Sequence, residues 1–348
     1  MRWLAWLLAT IAAAPAVHRA AGQSVTHVTG MMGEFRGMSA IGSVVWASGR
    51  GGTYARSTDG GVTWTAGTVP GAEGMVLVDV AALDDRSACV LATNFDGGLG
   101  RIYRTADGGA TWTLSYERER PGVFFDGMAF WDARRGLAFG DPVDGVFFIV
   151  RTTDGGASWS EVRRAKIPVP LDGEAGFAAS GTAIAVAGIR HAWIGTGGGP
   201  VARVLRTTDG GLSWSAESTP LPGGAATGIF GVAFRDTVHG MAVGGNYQQP
   251  ADDGPNVVRT TDGGRTWVLA GAAAPAGVRY GLAYVPGAVG TAVAVGPTGY
   301  GLTHDDGRTW VAVDTLYAFT LALAPGRGWL AGPAGRIVRL DPALLRPE

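Results

Sequence analysis

The sequence predicts an all-β chain, a seven-bladed β-propeller of four-stranded antiparallel blades, with an N-terminal strand completing the last blade. Three observations carry this. A box of the form S/T-x-D-x-G-x-S/T-W recurs six times, ending at Trp64, Trp112, Trp159, Trp214, Trp267 and Trp310, at spacings of 43 to 55 residues. Short apolar runs divided by turn residues surround each copy, four to a unit. Glycine, 58 of 348 residues, falls between those runs and lacks the three-residue period of collagen.

The elements follow in chain order. Residues 1–22 place Arg2 before an apolar run from Trp3 to Val17 and end in "AAG", the order of an export signal. The expected mature chain, 23–348, is a single domain, periplasmic or extracellular. Losing Arg2 and Arg19 takes the net charge from −1 to −3, which offers nothing to a nucleic-acid backbone. No later apolar run is long enough to span a bilayer.

Within the domain, one unit shows the pattern of all. "GMAFW" (127–131), "GLAFG" (136–140), "FFIVRT" (147–152) and "SWSEVR" (158–163) read as four strands, with the box between the third and fourth. A lone sheet of this kind leaves both faces wet, so the units must stack radially. After Trp310 come "FTLALAP", "GWLAG" and "GRIVRL", three strands without a box. "SVTHVT" (24–29) is the spare strand expected to complete them. A six-bladed ring with a loose tail is the alternative.

The repetition decides what the box aspartates do. A catalytic group is needed once, whereas Asp59, Asp107, Asp154, Asp209, Asp262 and Asp305 each appear once per unit. A carboxylate at such a turn accepts hydrogen bonds from amides that would otherwise lack partners. Calcium binding at the boxes is the rival reading. No metal or cofactor is expected: His27, His191, His239 and His304 are scattered, and the lone Cys89 lies in the apolar run "ACVLA". "GTGGGP" (195–200) lacks the last glycine of a dinucleotide fingerprint and any following helix.

These boxes resemble the Asp-box, or BNR, repeat of sialidase-like propellers. Unit length, six boxes, leader and closing tail are most similar to the photosystem II stability and assembly factor group and its bacterial relatives. The resemblance spans residues 25–340 and implies boxes turned away from the ligand face, with a role as assembly chaperone. Sialidases carry an R-I-P motif; "GEFRGMS" (33–39) keeps Arg36 but has Gly37-Met38 in place of Ile-Pro. Sialidase activity is therefore not implied.

Binding residues are expected in the unrepeated loops of the opposite face. "GDPVDG" (140–145) supplies Asp141 and Asp144, the long segment 164–182 supplies Glu174, and "GGNYQQPADDGPN" (244–256) supplies Asn246 and Tyr247. Arg36, Asp126, Arg279, Tyr280 and Tyr317 are expected at the channel mouth. "YERERPG" (116–122) reads as a solvated loop. The expectation is an exported, monomeric scaffold that binds a protein partner or a glycan. A glycoside hydrolase using two carboxylates from Asp126, Asp141, Asp144 and Glu174 is the alternative.

Overall fold

A computed structural model describes residues 23–28, 33–270 and 276–346; the expected export signal, 1–22, lies outside them. Seven four-stranded antiparallel sheets form the ring, six of them paired in simple chain order. Their strands span 35–68, 76–119, 125–161, 184–222, 227–269 and 281–314, here blades 1 to 6. Blade 7 combines Thr320–Ala324, Arg327–Ala331 and Arg336–Arg339 with Ser24–His27 as its outer strand. The first strand of every blade touches the first strand of the next, all the way round. Seven blades with N-terminal closure replace the six-bladed alternative.

The closing strand is short but well held. Ser24 to His27 pair in register with Arg339 to Arg336. Beyond the strand, the Val28 amide donates to the Gly335 carbonyl at 3.0 Å, and Gln23 bonds the Tyr300 hydroxyl of blade 6.

The box turns explain why the blades stay together. In each, the Ser or Thr hydroxyl that opens the turn donates to the aspartate, as Thr152 does to Asp154 at 2.7 Å. The other carboxylate oxygen takes the hydroxyl of the later Ser or Thr, Ser158 at 2.6 Å. This tight knot displays a carbonyl outward, and in five blades the preceding blade bonds it. Trp329 Nε1 donates to Gly60 at 3.1 Å, Tyr54 Oη to Gly109 at 2.8 Å, and Arg104 Nε to Gly155 at 2.9 Å. Arg151 Nε donates to Gly210 at 2.7 Å and Trp193 Nε1 to Gly263 at 2.9 Å. The sixth box has Asp306 where the others have glycine, at φ 58°. That left-handed conformation is costly for a side chain, and here Arg235 of blade 5 pairs with the Asp306 carboxylate at 2.8 Å.

The second box glycine permits the closest approach. A Cβ on Gly156 (φ 78°) would lie 2.4 Å from Cys89 Sγ of the blade before. Burial pushes the Cys89 thiol up to about 12, so it serves as packing.

Two outcomes are expected. Deleting residues 23–28 removes roughly four strand bonds, a loss of roughly 4 kcal/mol by denaturant titration; an unchanged midpoint would show that the ring closes without them. In Asp154, partial burial opposes ionisation, but hydrogen bonds from Ser158 and Thr152 outweigh it and bring the carboxyl down to about 2. A depressed folded pKa gives stability that is present above the unfolded value and lost as pH falls through the folded one. Melting temperature should therefore fall between about pH 4 and pH 2, and less steeply in Asp154→Asn, which should lose roughly 1 kcal/mol at neutral pH.

Candidate functional site

Because the boxes occupy one face, the starts of the first strands lie on the other. There the chain departs from its own repeat. In blades 1, 2, 3 and 5 the first strand is bulged at Arg36, Val78, Asp126 and Phe230, followed by glycine in all but blade 2, where Asp79 follows. A bulge leaves one residue unpaired and re-aims its side chain. Tyr280 and Phe319 hold the corresponding place immediately before the first strands of blades 6 and 7.

Four of these side chains form a continuous arc. Phe230 lies 5.6 Å from Tyr280, and Tyr280 stacks on Phe319 at 5.8 Å with rings 7° from parallel. The Arg36 guanidinium then sits 4.2 Å above the Phe319 ring. Tyr247 and Phe177 pack edge-on to each other at 6.0 Å, and Phe177 stacks on Phe230 at 4.2 Å. Tyr317 lies against Phe319 at 4.8 Å. Phe177, Tyr247, Tyr317 and Arg36 remain half-buried, so their edges meet solvent.

The charge beside the arc is cationic with one shared carboxylate. Glu34 Oε1 accepts from Arg36 Nε at 3.1 Å and from Arg50 Nε at 2.6 Å. Burial works against ionisation of Glu34, but the two arginines outweigh it and hold the carboxyl below its ordinary value. Arg50 also covers Phe95 at 4.5 Å, extending the aromatic surface across blade 2. Burial raises the Tyr280 and Tyr317 hydroxyls, so both stay protonated and can donate.

The other side of the mouth is filled by the chain itself. The long connection between blades 3 and 4 first docks on blade 4, where Ala175 and Gly197 exchange backbone bonds at 2.8 and 3.0 Å. It then enters the ring at 176–182 and bonds blades from every side. The Gly176 amide donates to Asp141 at 3.1 Å, Ser180 Oγ to the Tyr280 carbonyl at 2.7 Å, and Thr320 Oγ1 to the Ser180 carbonyl at 2.7 Å. The Val232 amide donates to the Thr182 carbonyl at 2.8 Å. Gly181 (φ 75°) lies so close to Asp79 of blade 2 that a Cβ would sit 2.3 Å from Oδ1. This segment is a plug.

The plug changes the reading of several expected ligand residues. Glu174 is no surface group: its side chain is fully buried and ion-paired to Arg203. It also accepts from Thr196 Oγ1 at 2.6 Å and the Leu171 amide at 2.7 Å, which fixes the approach to the plug. Asp126 and Asp141 are buried beneath Gly176. Arg279 is wholly buried, donating to the carbonyls of Gly277, Gly299 and Ala276 at 3.2, 2.9 and 2.8 Å; burial brings it down to about 10. Asn246 accepts the Gln248 amide at 2.9 Å in a turn. Asp144 is exposed, at φ 50°, and paired with Arg120 and Arg164. Arg36, Tyr247 and Tyr280 do come together; Phe230, Phe319, Glu34 and Asp79 were not anticipated.

Asp79 lies against the plug at Gly181. Its oxygens accept the amides of Val80 and Met128, both at 2.8 Å, and no charged side chain contributes to its ionisation. Burial pushes the carboxyl well above its ordinary value. A raised folded pKa costs stability as pH climbs above the unfolded value. Asp79→Asn should therefore flatten the stability profile above about pH 4, whatever its constant offset; a parallel profile would show that Asp79 is ionised in the native ring. Glu174→Gln leaves Arg203 without its charge partner and should cost roughly 3 kcal/mol, read as a lowered denaturant midpoint.

No protein-family model and no curated protein matches the chain. Solved structures do. The fold is similar to YCF48 bound to D1 peptide, with a TM-score of 0.66 and 15% identity over 92% of this chain and 97% of that one. YCF48 from Cyanidioschyzon merolae gives 0.63 and 15% over 92% and 99%. The GH74 enzyme of Niastella koreensis gives 0.63 and 15% over 90% of this chain but only 53% of its own, so the chain spans about half of that protein. At such identities the likeness is one of fold: this chain is a seven-bladed β-propeller.

Proposed function

We propose that the chain is an exported binding or assembly scaffold that takes a segment of a partner protein on the aromatic arc beside the plug. The carrying observation is the arc from Phe230 through Tyr280 and Phe319 to Arg36. Phe230, Tyr280 and Phe319 are themselves buried, and they hold half-buried Phe177, Tyr247, Tyr317 and Arg36 at the surface. Aromatic edges with hydroxyl and guanidinium groups are the composition of interaction hot spots. A YCF48 propeller of similar fold was solved with a D1 peptide bound, which supports a protein segment as the occupant class.

A glycan is the second reading, favoured by the half-buried Tyr247 and Tyr317 beside the arc, since sugar rings also lie on aromatic side chains. The carboxylates support binding over hydrolysis. Asp126, Asp141 and Glu174 are buried, and exposed Asp144 is ion-paired. A glycosidase needs two carboxylates across an open cleft.

Affinity capture from the native cell envelope separates these readings. The wild-type chain should retain a protein that Arg36→Ala and Tyr317→Ala each retain at least about tenfold less, with melting temperatures little changed. Equal capture by all three would remove the arc from the binding surface. Shortening of oligosaccharides by the wild type, abolished in Asp126→Asn, would replace the scaffold reading with a hydrolase.

A further inference from the structure

A second surface lies away from the mouth, on the rim between blades 2 and 3. The stretch "YERERPG" (116–122) is a loop only from Arg120 on: Thr113–Glu119 is the outer strand of blade 2. Strand alternation sends Tyr116 and Arg118 to one side and Glu117 and Glu119 to the other, and Arg120, just past the strand's end, joins the first side through its pair with Asp144. The contacts agree with that division. Tyr116 packs on Phe125 and Phe148 of blade 3 at 6.3 and 6.2 Å and donates to Glu161 at 3.1 Å. Glu117 pairs with Arg101 of its own blade.

The side facing blade 3 is therefore a cationic ledge. Arg118 meets Glu161 at 3.3 Å, while Arg120 and Arg164 share Asp144, Arg164 at 3.5 Å. Three guanidiniums face two carboxylates, all of them 37 to 54% exposed. Surface pairs of this exposure are worth little and exchange readily for other carboxylates. The crevice between them, floored by Val143, Val146 and Phe148, holds about 30 Å³, little more than one water. A small molecule cannot enter it, so a ligand must lie across the rim.

We propose that this ledge binds an extended acidic peptide segment of a partner protein, independently of the mouth. Arg118 in the strand and Arg120 just beyond its end are two residues apart, at most about 7 Å along an extended chain. Alternate carboxylates of an extended peptide recur at that same interval, so each can meet one guanidinium, with Arg164 at the end of the row.

Calorimetric titration of the full chain with a peptide of alternating glutamate and leucine tests this. Binding should weaken at least about tenfold in the Arg118→Gln, Arg120→Gln double variant and should fall as salt rises. The same peptide with glutamine for glutamate should not bind, and Arg36→Ala should bind the acidic peptide as the wild type does. Melting curves of the double variant confirm that it is folded. Absence of binding, binding that survives the double substitution, or loss in Arg36→Ala would overturn the proposal. So would binding to anionic phosphatidylserine vesicles without binding to the peptide.

Discussion

A ring of wedges stands only if every radial seam is held, and here the seam is a backbone carbonyl offered by one blade to the next. The aspartate knot holds the neighbour through a turn carbonyl. It bends the turn so that Gly60, Gly109, Gly155, Gly210 or Gly263 presents its oxygen outward, where a side chain of the preceding blade can bond it. The donor's identity varies among tryptophan, tyrosine and arginine because the geometry asks only for an N–H or O–H at one point. In the sixth seam the same place is filled by a carboxylate, and the donor becomes an arginine.

Seams alone leave an open axis, and the plug supplies what they do not. Bonds from 176–182 reach blades 3, 5, 6 and 7, with Gly181 seated against blade 2. A single segment thus ties strands that are far apart around the circle. Its cost is the burial of carboxyl groups, Asp79 most clearly. Its consequence for binding is asymmetry: the plug fills part of the mouth, and Phe177, Tyr247, Tyr317 and Arg36 are left half-buried along the aromatic arc.

The fold was legible because it is written repeatedly, and the site was obscure because it is written once. Six boxes in register revealed strand order and the role of Asp154, and the boxless runs after Trp310 with 24–29 revealed the seventh blade. Glu174 and Arg279 misled for the opposite reason: a single charge in an irregular stretch reads as exposed, and only packing reveals Arg203 or the carbonyl clamp around it. A usable signal did exist for the arc. "FRG" (35–37), "FDG" (125–127), "IFG" (229–231) and "RYG" (279–281) each place a variable residue before a glycine at the start of a first strand. That position, compared across blades, points to Phe230 as readily as to Arg36. Nothing local announces the plug, because its partners lie up to 140 residues away.

The strand that seals the last blade has a temporal meaning as well as a spatial one. His27 meets Ala334 across 307 residues of chain. Six blades can mature locally as the polypeptide grows, but the seventh waits for its earliest and latest segments to find each other. Loop-closure entropy makes that encounter the slow one. Until it happens, the Arg336–Arg339 strand stands as an unpaired edge, open to pairing with another chain. Completion of the circle is therefore also the moment at which the molecule becomes safe to be crowded.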